Sequence, residues 1–546
     1  MINGFFTMTL WVTKTATYCL LYGGFLALSS LSSAPKTIVD LGYAQYKGNL
    51  TFPNAVAFLG LPFAEPPVGN RRWRKPLPLD TARIRAEFHG KVVDATTYPD
   101  FCVQGTTGGG DAGGAGTEDC LNVNVYAPAT AKPGDKLPVL VYIHGGGYTF
   151  GNPRNWPFDH WVHQSPNVVI VSVYYRLDSF GFLAHPDFLA DHSLGDLNVG
   201  FEDQTEALRW VQKNIHAFGG DPSRVTINGE SAGGSSIELH LVAEGQKGLF
   251  HAAIAQSVYR TPLPSPTQQV PLFNFFSKQA GCGVGTVSSQ MACLRRASVS
   301  ALARAQDAPF NGSYNAFHPV VDGKVITGLP TASLLKGDFQ RVPLLVGACS
   351  NETLSGGPIE SSLPKFFPGL TVEDIAEYEK QYPVSDFDSA TQQQQVATGE
   401  SELICAREIM GGAFAEKTKA YTYRYNQPNP TSGSPAVGHA AENWMMFLGS
   451  NTGFNGTTTF TKMTPTESAF AEELIAYWLS FVRAGDPNTH KLARSPSWPE
   501  YTAAKKTRLV LQQGTPDASG SVLESEPDRE TERCAFVLSK VLKQQN

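Results

Sequence analysis

The sequence predicts an α/β protein: a mostly parallel central sheet with helices on both faces. Three observations carry that expectation. Short apolar or β-branched runs recur between about residues 137 and 345, helical patterns alternate with them, and turn residues bound each run.

The strand candidates, in chain order, are 139–143, 168–174, 225–227, 344–346 and 421–425. Between the second and third, Ala207, Leu208, Val211, Ile215 and Phe218 recur at helical spacing, which predicts an amphipathic helix over 202–218. Gly219-Gly220-Asp221-Pro222 would stop it. A helix over 234–242 follows the third strand, and a last one over 467–482 ends at Gly485-Asp486-Pro487 by the same logic.

A chain of 546 residues with 42% hydrophobic content has enough apolar surface for a large core. No internal repeat or low-complexity linker cuts it, so residues 35–546 read as one domain. The formal charge of −6 comes with scattered rather than clustered Lys and Arg, which excludes the electrostatic footprint of a nucleic-acid binder. Residues 1–34 have the layout of a secretion signal: Lys14, an apolar stretch over 18–31, then Ser32, Ser33 and Ala34 before Pro35. That stretch is short for a bilayer span, which needs about 20 residues, and no second candidate follows. The expectation is a secreted protein without stable membrane insertion after signal removal.

Cys19 lies in the leader, leaving Cys102, Cys120, Cys282, Cys293, Cys349, Cys405 and Cys534. The short spacings of Cys102 with Cys120 and of Cys282 with Cys293 suit local disulfides in an oxidising compartment. Sequons at Asn49, Asn311, Asn351 and Asn455 offer glycan sites there. No spacing resembles a zinc site, and no metal or organic cofactor is expected.

Gly229-Glu230-Ser231-Ala232-Gly233 matches the nucleophile-elbow pattern G-x-S-x-G. The pattern alone turns up by chance in long chains; here a strand candidate precedes it and a helix candidate follows. A serine hydroxyl needs an adjacent base, and the tetrahedral intermediate needs preorganised donors. His144-Gly145-Gly146-Gly147-Tyr148 follows the strand at 139–143, so bare backbone N–H groups there can converge with that of Ala232. In folds with such an elbow the order is serine, acid, histidine, which leaves His439 and His490 as bases. His490 follows a Gly-Asp-Pro-Asn surface turn, whereas His439 follows a strand, at a sheet end. Many acids lie between serine and histidine. Glu352 stands out only because it closely follows the strand at 344–346, and the others remain open on position alone.

With these residues in hand, the chain resembles the type B carboxylesterase and lipase family, which includes the cholinesterases, from about Leu41 to Tyr501. The likeness is carried by the segment from Phe58 to Gly69, by Glu118-Asp119-Cys120-Leu121-Asn122, by the glycine run, by Asp203-Gln204 leading to Gly219-Gly220-Asp221-Pro222, and by the elbow. The resemblance implies the α/β-hydrolase fold, with Ser231 as nucleophile, Glu352 as acid and His439 as base. It further implies Gly146, Gly147 and Ala232 as the oxyanion hole, disulfides Cys102–Cys120 and Cys282–Cys293, and a third bridge, Cys405–Cys534, that would leave Cys349 free. The family usually has Asp before the acid and Gly after it, where this chain has Asn351 and Thr353. Asn351 is expected to be too buried for glycosylation.

The implied substrate is a small-molecule carboxylic ester. In related lipases the loop corresponding to 103–119 carries an amphipathic lid; here it is mostly Gly, Thr, Asp and Ala, with no apolar stripe and no Trp to bind choline. Soluble esters are therefore expected over lipid droplets, and the cholinesterase subtype is rejected. A lipase or amidase shares the triad, and an adhesion or binding relative would lack the serine. Tyr148, Phe201, Met445 and Met446 are candidate pocket-lining residues, although such side chains are more often core. Oligomeric state is not legible.

Overall fold

The computed structural model describes residues 35–105, 116–452 and 458–546. The leader at 1–34 with Cys19, the centre of the expected lid-free loop at 106–115 and the sequon at Asn455 lie outside the described residues. Within them, runs of β-branched residues too short for a helix become strands: β1 (Ile38–Asp40), β2 (Gln45–Phe52), β3 (Ala55–Pro62), β4 (Val92–Ala95), β5 (Asn122–Pro128), β6 (Leu137–Ile143), β7 (Val169–Val173), β8 (Gly220–Glu230), β9 (Ala252–Gln256), β10 (Leu344–Cys349), β11 (Ala420–Tyr425), β12 (Ser450–Thr452), β13 (Thr458–Phe460), β14 (Thr507–Leu511) and β15 (Val522–Ser525). All but β12 and β13, which pair with each other, join one sheet in the order β1-β2-β3-β5-β7-β6-β8-β9-β10-β11-β14-β15, with β4 beside β2.

From β7 to β14 every neighbouring pair is parallel, and the antiparallel pairs lie towards the two edges. The parallel strands are buried on both faces, which is why they read as near-continuous apolar runs. Their period of two still sorts side chains between two cores. Val139, Val141 and Ile143 enter one with Leu208, Val211 and Ile237, while Leu140 and Tyr142 enter the other with Trp161, Leu474 and Trp478. At about 1.5–3 kcal/mol for each large apolar side chain removed from water, these two layers hold the sheet between its helices.

The helix expected over 202–218 runs over Val199–Asn214, tightens into a 3-10 turn at Ile215–Phe218 and stops at Gly219, whose φ is +86°. Its terminator differs in part: Gly220 already pairs with Leu137, so β8 opens five residues before the expected strand at 225–227. The last helix spans Pro465–Ala484, between a Thr464–Glu467 capping box and Gly485 in the left-handed region.

Disulfides join Cys102 to Cys120, Cys282 to Cys293 and Cys405 to Cys534, and Cys349 is a buried free thiol. One expectation is corrected at the end of β10. Asn351 is exposed, not buried, because the turn leaving the strand carries it outward, and only the next residue, Glu352, points into the protein.

Candidate active site

Parallel strands end on the same side of a sheet, so the turns after β6, β8, β10 and β11 open at one edge. At the end of β8 the chain turns straight into the helix Ala232–Val242. Ser231, at that corner, has φ +59° and ψ −122°, a conformation that L-residues rarely adopt and that is stored where function requires it. The flanking glycines are dictated by close approach: a Cβ on Gly229 would lie 2.4 Å from the Gly233 carbonyl oxygen, and one on Gly233 would lie 2.1 Å from that of Ile143.

His439 arrives on the long loop after β11 and stands between two groups. Its Nε2 lies 2.8 Å from Ser231 Oγ and its Nδ1 lies 2.6 Å from Glu352 Oε2. The other Glu352 oxygen accepts from Ser257 Oγ at 2.5 Å and from the Cys349 amide at 2.8 Å. Burial raises the Glu352 pKa, but the imidazole and these donors outweigh it, and the carboxyl stays below its ordinary range. A buried carboxylate with its acceptor sites filled on one side and a ring on the other is held in a single orientation. His490 is exposed and takes no part.

The N–H groups of Gly146, Gly147 and Ala232 make no hydrogen bond among the described residues; Gly146 and Gly147 line the opening with Ser231, and Ala232 follows it in the chain. Gly146 and Gly147 have φ of +107° and +61°. Tight turning at these two positions is what leaves successive amides facing the opening rather than a partner strand.

Two further carboxyls surround the ring, and neither was singled out from sequence. Glu230 Oε1 lies 3.5 Å from His439 Nε2, and its second oxygen accepts from Asn443 Nδ2 at 3.1 Å. Glu442, three residues beyond His439 in the first turn of the helix Ala441–Met446, accepts a hydrogen bond from Cys349 Sγ at 3.0 Å. Burial first, then the neighbouring carboxylates, raises both; Glu230 reaches about 8. His439 is itself held above the ordinary imidazole range, because Glu352 and Glu230 outweigh the opposing effect of burial. Protonation of Glu230 removes one of those two charges, lowers the ring's proton affinity and so favours the neutral imidazole. The only available sequence signal was position, one residue before the serine and three after the histidine.

The opening above Ser231 is a cavity of about 540 Å³ walled by Phe150, Trp156, Tyr259, Leu354, Phe366 and Trp444. Tyr148, Phe201, Met445 and Met446, the candidate lining residues, are instead buried in the two cores. None of the four lines the opening; Tyr148 packs against Phe182 and Phe201 stacks on His240, an orientation that local apolarity does not encode.

The sequence model of the Carboxylesterase family matches residues 36–365 and 368–536. The chain is 30% identical to an acetylcholinesterase of Bungarus fasciatus over 528 residues, covering 88% of this chain and 82% of that protein. It is 31% identical to carboxylesterase 1D of Rattus norvegicus over 491 residues, covering 81% and 83%. Lipase 5 of Diutina rugosa is 34% identical over 405 residues, covering 65% of this chain and 71% of the lipase. The crystal structure of Aspergillus niger EstA superposes with a TM-score of 0.81 at 28% identity, covering 94% of this chain and 99% of EstA. A matched family sequence, the α/β-hydrolase fold and a serine presented at a strained strand-to-helix corner lead to one conclusion: the chain belongs to the carboxylesterase family and is a serine-type carboxylic ester hydrolase.

Proposed function

We propose that Ser231, His439 and Glu352 act as the catalytic triad of an esterase for soluble carboxylic esters. The observation that carries this reading is one imidazole with its two nitrogens within 2.8 Å of a serine hydroxyl and 2.6 Å of a buried carboxylate. His439 takes the Ser231 proton as the oxygen attacks the ester carbonyl. The alcohol leaves with that proton, and water then attacks the acyl-enzyme with the roles reversed. Glu352 holds the ring in the tautomer that presents a bare Nε2 to Ser231 and stabilises the imidazolium. Gly146, Gly147 and Ala232 donate to the oxyanion; each such donor is worth about 3 kcal/mol of barrier.

Preference for soluble esters is supported by the Gly-rich composition of 103–119, which lacks the apolar stripe of a surface-seeking lid. Secretion is supported by the leader pattern at 1–34, the three disulfides and the exposed sequons at Asn49, Asn311 and Asn351. Residues 35–546 then act as one catalytic domain. No helix among the described residues is long and apolar enough to cross a membrane.

Hydrolysis of nitrophenyl butyrate by the wild type and by Ser231→Ala tests the triad, with organophosphate labelling of the elbow peptide as the second readout. A Ser231→Ala enzyme as active as wild type overturns it. A sharp rise in rate as tributyrin passes its solubility limit would refute the preference for soluble esters, and equal turnover of matched amides would widen the reading to amidase.

A further inference from the structure

A second cavity, of about 600 Å³, lies beside the one above Ser231. The two share Tyr259, Leu354 and Phe366 as a common wall. Tyr259 is anchored next to the nucleophile by its amide, which donates to the Ser231 carbonyl at 3.3 Å, and its ring meets Phe366 edge-on at 5.7 Å. Leu354, at the wall's outer edge, is 45% exposed, so the wall ends in a low rim at the protein surface.

The chemistry on the two sides of this wall differs. The chamber over Ser231 is walled by Trp156, Phe150 and Trp444, whereas the second one is lined by Gln269, Asn315, Ser362 and Lys365. The side chains of Asn315, Ser362 and Lys365 make no hydrogen bond or ion pair among the described residues. No Asp or Glu lines this chamber, and Lys365 is its one cationic side chain. His318 adds no charge: burial lowers its pKa to about 4, and Thr261 Oγ1 lies 2.7 Å from its Nδ1. The result is a recess with one unpaired cation and several unused hydrogen-bonding groups beside a more aromatic one; a nearby carboxyl, Glu402, is tied up behind the wall by Leu354 and Ser355.

Reaction geometry decides which part of an ester reaches it. The departing alcohol must take its proton from His439 Nε2, so it occupies the side walled by His439, Asn443 and Trp444. The oxyanion faces Gly146 and Gly147. The acyl chain is then left the remaining direction, towards Tyr259 and Phe366 and the rim beyond them.

We propose that the second cavity is an acyl-end site selecting esters whose acid part carries a terminal anionic group, as in half-esters of dicarboxylic acids, with Lys365 as the specificity-determining residue. This inference rests on the proposed triad for the direction of the acyl chain. The apolar body of the acyl chain crosses Leu354 and Phe366, and its terminal carboxylate meets Lys365 and the amides of Gln269 and Asn315.

The test compares kcat/KM for monoethyl adipate, ethyl 6-hydroxyhexanoate and ethyl hexanoate, followed by pH-stat, in wild type, Lys365→Gln and Lys365→Glu. Lys365 is exposed, so both variants are expected to fold. An exposed charge pair is worth up to about 1 kcal/mol. Lys365→Gln should therefore lower the adipate-to-hexanoate ratio about 3-fold, and Lys365→Glu about 10-fold. Ethyl hexanoate turnover should stay within about 2-fold, and high salt should narrow the wild-type ratio. A ratio unchanged in both variants overturns the proposal, as does a wild type that prefers the hydroxy ester while ignoring the charge at 365. Failure of the triad reading is separate: it would show as ethyl hexanoate hydrolysis surviving Ser231→Ala.

Discussion

Two clusters of buried and half-buried carboxylates in this protein each hold an acid on which burial has the opposite outcome. Around His439, Glu230, Glu352 and Glu442 share a single cationic partner. Near the C-terminus, Glu400, Glu524, Glu526 and Glu530 interleave with Arg407, Arg424, Arg508 and Arg533. Desolvation pushes every one of these acids for which a shift is resolved upward. In the first cluster it wins at Glu230, which reaches about 8, and loses at Glu352, which faces the imidazole; in the second it wins at Glu400, paired with Arg533 alone, whereas Arg407 and Arg508 reverse it and hold Glu530 at about 2. Burial is common to both, so the difference lies in how many guanidinium groups are within reach. A site short of cations keeps protons exchangeable near neutral pH, as acid-base chemistry needs. A balanced network keeps its charges fixed and serves the fold.

The comparison breaks first if the two clusters are not separable. Ser231→Ala is expected to cut ester hydrolysis by about 10⁴-fold or more and to leave the melting temperature close to wild type. Arg407→Met should do the reverse. It leaves Glu526 buried without a cation and takes one of two guanidinium partners from Glu530, costing about 3–5 kcal/mol in urea unfolding, while kcat/KM of the folded fraction stays near wild type.

Acid titration sharpens the second cluster. Because the folded pKa of Glu530 is depressed, its contribution is present above the unfolded value near 4.5 and is lost as pH falls towards about 2. Unfolding free energy should drop by as much as about 3 kcal/mol across that window, and Glu530→Gln should flatten the drop. A slope unaffected by the substitution would show that Glu530 is not the responsible group.

The smallest effect is in the first cluster. In the proposed mechanism His439 must be neutral to accept the Ser231 proton, so kcat/KM is expected to rise as pH passes upward through its pKa. Glu230→Gln removes a charge 3.5 Å from the ring. The acid limb should then move to lower pH, by about 1 unit, with little change in stability. A limb that stays in place or moves upward would mean that Glu230 does not raise the ring.

The parts of the molecule written in local pattern were legible. The five strand candidates all fall on strands of the parallel region, and Gly219 and Gly485 end their helices in the left-handed conformation. The edge strands β1 to β5, antiparallel except where β4 joins β2, were not read; β2, for one, mixes Gly, Asn and Lys with its apolar residues and gains its order from pairing across the sheet edge. Chain order and motif singled out Ser231, His439 and, with the family likeness, Glu352, and the structure brings their side chains together. Glu230 and Glu442 escaped notice because a carboxyl's function here comes from what surrounds it. The four apolar residues suggested as pocket lining failed for the same reason: hydrophobicity says that a side chain is buried, not which way it faces.

By itself the sequence determined the α/β class, the corner that presents Ser231 and the pairs of cysteines close enough in chain to bridge. All of these rest on short-range sterics: glycines where a Cβ would clash, alternation along strands, turn residues at helix ends. Tertiary structure alone decided that Asn351 faces outward, that three carboxylates crowd one imidazole, and that a polar recess with Lys365 lies beside an aromatic one. Those outcomes depend on sums of burial and charge over residues hundreds of positions apart, and no local stretch of chain carries that sum.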